Sequence, residues 1–160
     1  MVKLLEILNT KVPVKWSHIG HEHVGTFTLD ESDFKIHIDE YVVNDKTLVD
    51  FGFSTNGVIA ATDSGKNSAK IIGAVLNGAA PKIKDINPDV VLIAVLKSSG
   101  LVQSRKNLYS TIVSWLMKRS DFIYRSDWIE NKKQFFMLIA KEKLTQEELQ
   151  LFISQVGSKE

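Results

Sequence analysis

Residues 90–96 read Val-Val-Leu-Ile-Ala-Val-Leu, seven apolar side chains in succession, four of them β-branched. A strand with one face in water alternates between apolar and polar side chains. An unbroken β-branched run is what a strand covered on both faces needs. This one stretch therefore asks for a sheet with helices above and below it, and the rest of the chain divides into elements able to supply that cover.

Upstream of it the period is two. Thr26-Phe27-Thr28-Leu29 alternates, and Phe34-Lys35-Ile36-His37-Ile38-Asp39 does so more clearly. Phe34, Ile36 and Ile38 belong to a core, and Lys35, His37 and Asp39 to solvent or a cleft. The polar turns Asp30-Glu31-Ser32-Asp33 and Asn44-Asp45-Lys46 separate these runs from a further strand, Thr47 to Ser54. The result is an antiparallel meander of three or four strands. Ahead of it, Met1 to Asn9 reads as a short helix with Leu4, Leu5 and Leu8 on one face.

After Thr62-Asp63-Ser64-Gly65 the period becomes helical, with Asp63 or Ser64 as the N-cap. Ala69, Ile72, Val75, Leu76 and Ala79 recur at helical spacing. Gly73, Gly78 and Ala80 leave a small-sided face suited to close packing on a sheet, and Pro81 and Pro88 bracket the exit. Beyond the buried strand, Ser104 is expected to cap a second helix that carries Leu108, Ile112, Trp115 and Leu116 on one stripe. Phe122 to Trp128 and Gln134 to Ala140 read as the last strands, joined by Glu130-Asn131-Lys132-Lys133. Thr145 and Glu148 have the spacing of a capping box, opening a final helix whose apolar face is Leu149, Phe152, Ile153 and Val156.

This order predicts an α/β fold of mixed α+β character: three layers, with a mixed β-sheet and helices on both faces. Its strand–helix–strand passages imply right-handed crossovers. With 160 residues, 9 glycines, 3 prolines and no low-complexity stretch, the chain reads as one domain. Residues 1–25 form an N-terminal extension, 26–142 the core and 143–156 the last helix.

Composition narrows the functional classes. Lys and Arg number 20 against 19 Asp and Glu, a net charge of +1. That balance does not indicate bulk capture of nucleic acid or of an anionic membrane. The absence of cysteine removes disulfides, thiolate nucleophiles and cysteine-based zinc sites together. Glu6 interrupts the first apolar stretch, and no run reaches the roughly 20 residues a membrane span requires. The expectation is a soluble, cytoplasmic protein.

Three segments carry chemistry. His18, His21 and His23 place three imidazoles within six residues, enough to offer a metal site, or else they flank a turn at His21-Glu22 between two strands. Metal is the less favoured of the two readings. Ser64, Gly65, Lys66, Asn67 and Ser68 open a helix after a strand, where free N–H groups beside the positive helix end suit a phosphate. A P-loop is disfavoured, because Ala60 stands where its first glycine belongs and Asn67 where Ser or Thr belongs. Tyr109 lies early in a helix just past the carboxyl end of the buried strand, where open α/β sheets place ligands, with Arg105 and Lys106 nearby as phosphate partners or as a solvated helix start. A general base is available from His37, Asp39 or Asp50. Lys118, Arg119, Tyr124, Arg125, Trp128, Lys132 and Lys133 make a basic-aromatic group suited to base stacking or, more commonly, to the rim of a core.

The element order from Thr26 to Glu142 resembles the GNAT family of N-acetyltransferases. There a meander leads to a pyrophosphate-binding loop and helix, a buried strand, a second helix and two closing strands. Gly65 matches the central glycine of that family's loop, while the positions flanking it depart from the pattern. Leu108-Tyr109, with Gln103 in the place of an asparagine, matches the family's second signature. The resemblance implies an acyl-CoA-dependent N-acyltransferase acting on an amine, with acetyl-CoA held at Ser64 to Ser68 and Arg105. Tyr109 would protonate the departing thiolate, and His37 or Asp50 would act as base. The chain is also similar to an uncharacterised domain of tailed-bacteriophage proteins, through Phe53-Ser54, Thr62 to Gly65, Pro88-Asp89 and Ser104-Arg105 with Leu108-Tyr109. That likeness implies a binding protein without catalysis, a virion component or an effector in the host cytoplasm with a host or virion protein as partner.

Overall fold

The computed structural model describes residues 11–29, 31–55, 65–97 and 102–157. Eight strands form one sheet: β1 (Lys15–Ile19), β2 (Glu22–Leu29), β3 (Ser32–Val43), β4 (Lys46–Thr55), β5 (Val90–Leu96), β6 (Tyr124–Arg125), β7 (Ile129–Glu130) and β8 (Gln134–Ala140). The helices are α1 (Gly65–Ile86), α2 (Val102–Lys118) and α3 (Gln146–Gly157). The sheet order is β1-β2-β3-β4-β5-β8-β6, with β7 also paired to β8. All neighbours are antiparallel except β4 and β5, which run parallel and are joined through α1. The mixed sheet is thus as expected, but among the described residues it holds only one parallel crossover. The passage from β5 through α2 returns to an antiparallel partner.

Strand alternation sorts the side chains into two cores. Phe34, Ile36 and Ile38 of β3, Phe51 and Phe53 of β4, and Val91, Ile93 and Val95 of β5 meet α1 and α2. Leu48, Val90, Leu92, Phe136 and Leu138 meet Leu149, Phe152 and Ile153 of α3 on the opposite face. The unbroken apolar run of β5 follows from its place between these layers. α3 covers the β4-β5-β8 part of its face, with Tyr41 and Val43 from the end of β3, Tyr124 of β6 and Ile129 of β7 at its margin. Over β2 and β3 the same face carries Thr26, Thr28, Lys35, His37 and Asp39, none of them buried.

The small side of α1 makes the contact its composition predicts. A Cβ on Gly78 would stand 2.7 Å from Val14 Cγ2 and 3.2 Å from Ile36 Cδ1, so the helix and the chain leading into β1 meet across a gap that only glycine leaves open. α1 runs through Pro81 and stops at Ile86, between the two prolines. Asn87 turns the chain with φ +53°, and its N–H closes on the Ile83 carbonyl at 2.8 Å. The capping box of α3 is present in full: Glu148 N–H donates to Thr145 Oγ1, and Thr145 N–H to Glu148 Oε1, each at 3.1 Å.

Two expectations need correction. α2 begins at Val102, so Ser104 sits within its first turn and does not cap it. Phe122 to Trp128 is not a regular strand. Within it the regular pairing with β8 is confined to Tyr124–Arg125: at Ser126 the backbone N–H still donates to the Leu138 carbonyl at 2.9 Å, but the Leu138 N–H donates to Ser126 Oγ, at 3.0 Å, rather than to a backbone carbonyl. The strand resumes as β7 at Ile129–Glu130. The helix expected over Met1 to Asn9, and the caps Asp63 and Ser64, lie outside the described residues.

Candidate functional site

The parallel ladder between β4 and β5 runs from Leu48↔Val90 to Phe51↔Ile93 and stops there. Both strands continue. β4 stays paired with β3 as far as Phe34↔Thr55, and β5 with β8 as far as Leu96↔Gln134. The sheet therefore divides into a wedge beyond Phe51 and Ile93. Its two inner edges carry backbone groups that no ladder pair joins among the described residues. Such an edge offers main-chain hydrogen bonds to an extended molecule laid along it.

Tyr109 stands at this split. α2 packs on the Phe51 and Phe53 face, and the Tyr109 ring meets Phe53 with centroids 5.9 Å apart. A Cβ built on Gly52 would meet the Tyr109 hydroxyl at 3.8 Å and nothing else within 4 Å among the described residues. Gly52 belongs to the opposite face of β4, so the phenol reaches from the α2 layer into the plane of the sheet, where it bonds the Phe53 backbone. Burial pushes the Tyr109 phenol up to about 12; a hydrogen bond with the Phe53 backbone and the charge of Arg105 oppose this, and Asp50 adds to it. Arg105, one turn earlier on α2, is itself buried at 5% exposure, and burial lowers its pKa from the ordinary value. It belongs to the packed side of α2 and is not a solvated cation at the helix start.

On the polar face, β3 and β4 bring the base candidates together. Asp39 pairs with Asp50 across the ladder, and His37 pairs with Gly52. His37 Nε2 lies 3.3 Å from Ser54 Oγ. Directly opposite residues have Cβ atoms about 5 Å apart, so His37, Asp39, Asp50 and Ser54 form one polar group beside the Tyr109 hydroxyl. Tyr109, Asp50 and His37, separated by up to 72 positions in the chain, are thus neighbours. Gly52 and Ser54 complete the group. A glycine inside a strand was the signal for the close approach.

The remaining candidates are distributed differently. Gly65, Lys66, Asn67 and Ser68 form the first turn of α1 in their backbone. Their side chains, and Ser64 entirely, lie outside the described residues. The turn between β1 and β2 falls at Gly20-His21, one residue earlier than expected. His18 and His23 stack across it, centroids 4.0 Å apart, while His23 Nε2 contacts Glu40 Oε1 at 2.6 Å. His18 Nε2 bonds the Gly20 carbonyl at 2.7 Å, and His21 packs against Tyr41. The three rings do not converge. No group of three or more His, Cys, Asp or Glu among the described residues is placed to hold a metal ion.

The basic-aromatic group is not one platform either. Tyr124 packs with the α3 core and Trp128 with the α1–α2 core, on opposite faces of the sheet. The Lys106 ammonium lies over both Trp128 and Phe135, and the Arg119 guanidinium over Trp115. Cations therefore already occupy these aromatic faces. No helix among the described residues is long and apolar enough to cross a membrane. No protein-family model matches the chain, and neither a curated protein nor a solved structure does.

Proposed function

We propose that this chain is an acyl-CoA-dependent N-acyltransferase on a GNAT-like sheet. The observation that carries the reading is the split between β4 and β5 with the Tyr109 hydroxyl set in it. The order of a meander, a helix, a buried strand, a second helix and closing strands accompanies it. The inner edges of β4 and β5 suit an extended, amide-bearing arm such as that of coenzyme A, with its thioester at the level of Gly52.

The chemistry then follows from the residues around the split. An amine approaches from the polar face. Asp50 or His37 takes its proton, the nitrogen bonds to the acyl carbon, and the carbon–sulfur bond breaks. Tyr109, neutral at physiological pH, donates to the departing sulfur. A phenol near 12 is a weaker acid than an ordinary thiol at about 8.5. Full proton transfer is therefore uphill unless the thiolate forms in the same dry split, where burial raises its proton affinity as well. Short of that, the phenol stabilises the leaving sulfur through a charge-assisted hydrogen bond.

Calorimetric titration of the full chain with acetyl-CoA tests the reading, with Gly52→Val as the control that fills the space before Tyr109. Saturable binding that the control abolishes supports it. No heat up to millimolar ligand removes the acyltransferase and leaves the scaffold as an interaction module.

A further inference from the structure

At the end of β5 away from Tyr109, a cavity of about 680 Å³ opens between the C-terminal halves of α1 and α2. Tyr109 and Trp115 are six residues apart on α2, about 9 Å along its axis. The two sites are therefore separate, and this inference does not depend on the acyltransferase reading. The volume falls within the range of about 300–1,000 Å³ typical of small-molecule sites.

The wall is largely apolar. Pro81 and Ile83 of α1, Trp115 and Leu116 of α2, and Phe122 beyond it are its main apolar side chains, and Asn77, Asn87 and Ser120 also line it. The charge around it is one-sided: Lys84, Arg119 and Lys141 against Asp121 alone. Asp121 is already matched by Lys141, whose Nζ lies 3.8 Å from its carboxylate. Neither Lys84 nor Arg119 has a carboxylate within 4.0 Å among the described residues. Arg119 is held over the Trp115 ring at 4.5 Å, and Trp115 is fixed by its own burial. A guanidinium held in this way keeps its planar fork ready for a two-oxygen anion.

We propose that this cavity is a binding site for a small ligand with a flat apolar body and a single anionic group. The body lies against Trp115, Leu116 and Phe122, and the anion is met by Arg119 with Lys84. The surplus of two cations is what selects this class over a neutral or cationic aromatic.

The test is calorimetry of the full chain with naphthoate and with its uncharged counterpart naphthylmethanol. Naphthoate should saturate one site per chain. It should bind about ten- to a hundredfold more tightly than the alcohol, the range of one charge-assisted contact. Arg119→Gln should remove that preference and Lys84→Gln should reduce it. Lys84 is exposed on the helix surface, so its variant keeps the test valid if the Arg119 change disturbs folding. Absence of saturable naphthoate binding, equal affinity for the two probes, or an unchanged preference in both variants would overturn the proposal.

Discussion

The Tyr109 hydroxyl lies 3.8 Å from the place a Gly52 side chain would take, so a residue of α2 and a residue of β4 share one gap in the sheet. The gap exists because the β4–β5 ladder ends one residue earlier, at Phe51. A Cβ at that distance is an ordinary contact, but a branched side chain would fill the opening. Under the acyltransferase reading, Gly52→Val should therefore abolish acetyl-CoA binding while thermal unfolding stays cooperative. Retained binding would show that the split does not receive the ligand.

Tyr109→Phe removes the only polar atom of the side chain and keeps its packing on Phe53. Under the acyltransferase reading turnover should fall by roughly a hundredfold, with acetyl-CoA affinity changed by less than about threefold. An unchanged turnover would remove Tyr109 from the reaction.

Burial of the same phenol gives a spectroscopic signature. Ultraviolet titration of the phenolate band should show a transition near 12 that Tyr109→Phe deletes. A folded-state value above the unfolded one of about 10 contributes stability that is fully present below the unfolded value. That stability is lost as pH rises from about 10 to about 12. A Tyr109 transition at the ordinary tyrosine value would contradict the burial.

The cap of α3 is also an ion pair. Lys46 Nζ donates to Glu148 Oε2 at 2.8 Å. That bond, with the Thr145 backbone N–H, holds the Glu148 carboxyl below its ordinary value, and the Lys46 ammonium is raised by the same contact. The carboxylate's contribution is present above the ordinary carboxyl range and drains as pH falls through the lowered value. The lysine's contribution is present below its ordinary value and is lost as pH rises through the raised one. Glu148→Gln should thus lower the melting temperature at neutral pH and match the parent in strong acid. Thr145→Ala should cost about 1 kcal/mol. A Glu148→Gln deficit that persists in acid would show that the pair is not its source.

Gly78→Ala sets two effects of known size against each other. Alanine gains about 1 kcal/mol in helix propensity. Its methyl group would sit 2.7 Å from Val14, an overlap of a kind that costs about 1–3 kcal/mol. The denaturation midpoint should fall. A rise would mean that Val14 yields freely.

The fold was legible where one element decides its own pattern. The apolar run of β5, the alternation of β3 and the Thr145–Glu148 spacing each depend on local chemistry, and each appears in place. Where a tertiary partner decides, the sequence misled. Ser126 receives the Leu138 N–H on its hydroxyl instead of a backbone carbonyl, and nothing in Phe122 to Trp128 announces this. Tyr109, His37 and Asp50 were identifiable by residue type. Their meeting depends on where the β4–β5 register stops, and that is a relation between strands about 40 positions apart. The burial of Arg105 was equally hidden, since a helix start reads as solvated until its packing face is known. The cavity beside Trp115 leaves no trace in any one segment, because separate elements contribute its walls.

The parallel strand β5 lies between β4, made well before it, and β8, whose first residue is about 40 positions later. On the ribosome, at about 5–20 residues per second, its second edge therefore waits roughly 2–8 s for a partner. During that interval the most apolar strand of the chain presents an open row of backbone donors and acceptors. Free chains truncated between Leu96 and Gln134 should accordingly be the aggregation-prone lengths, and those that extend past Ala140 should not.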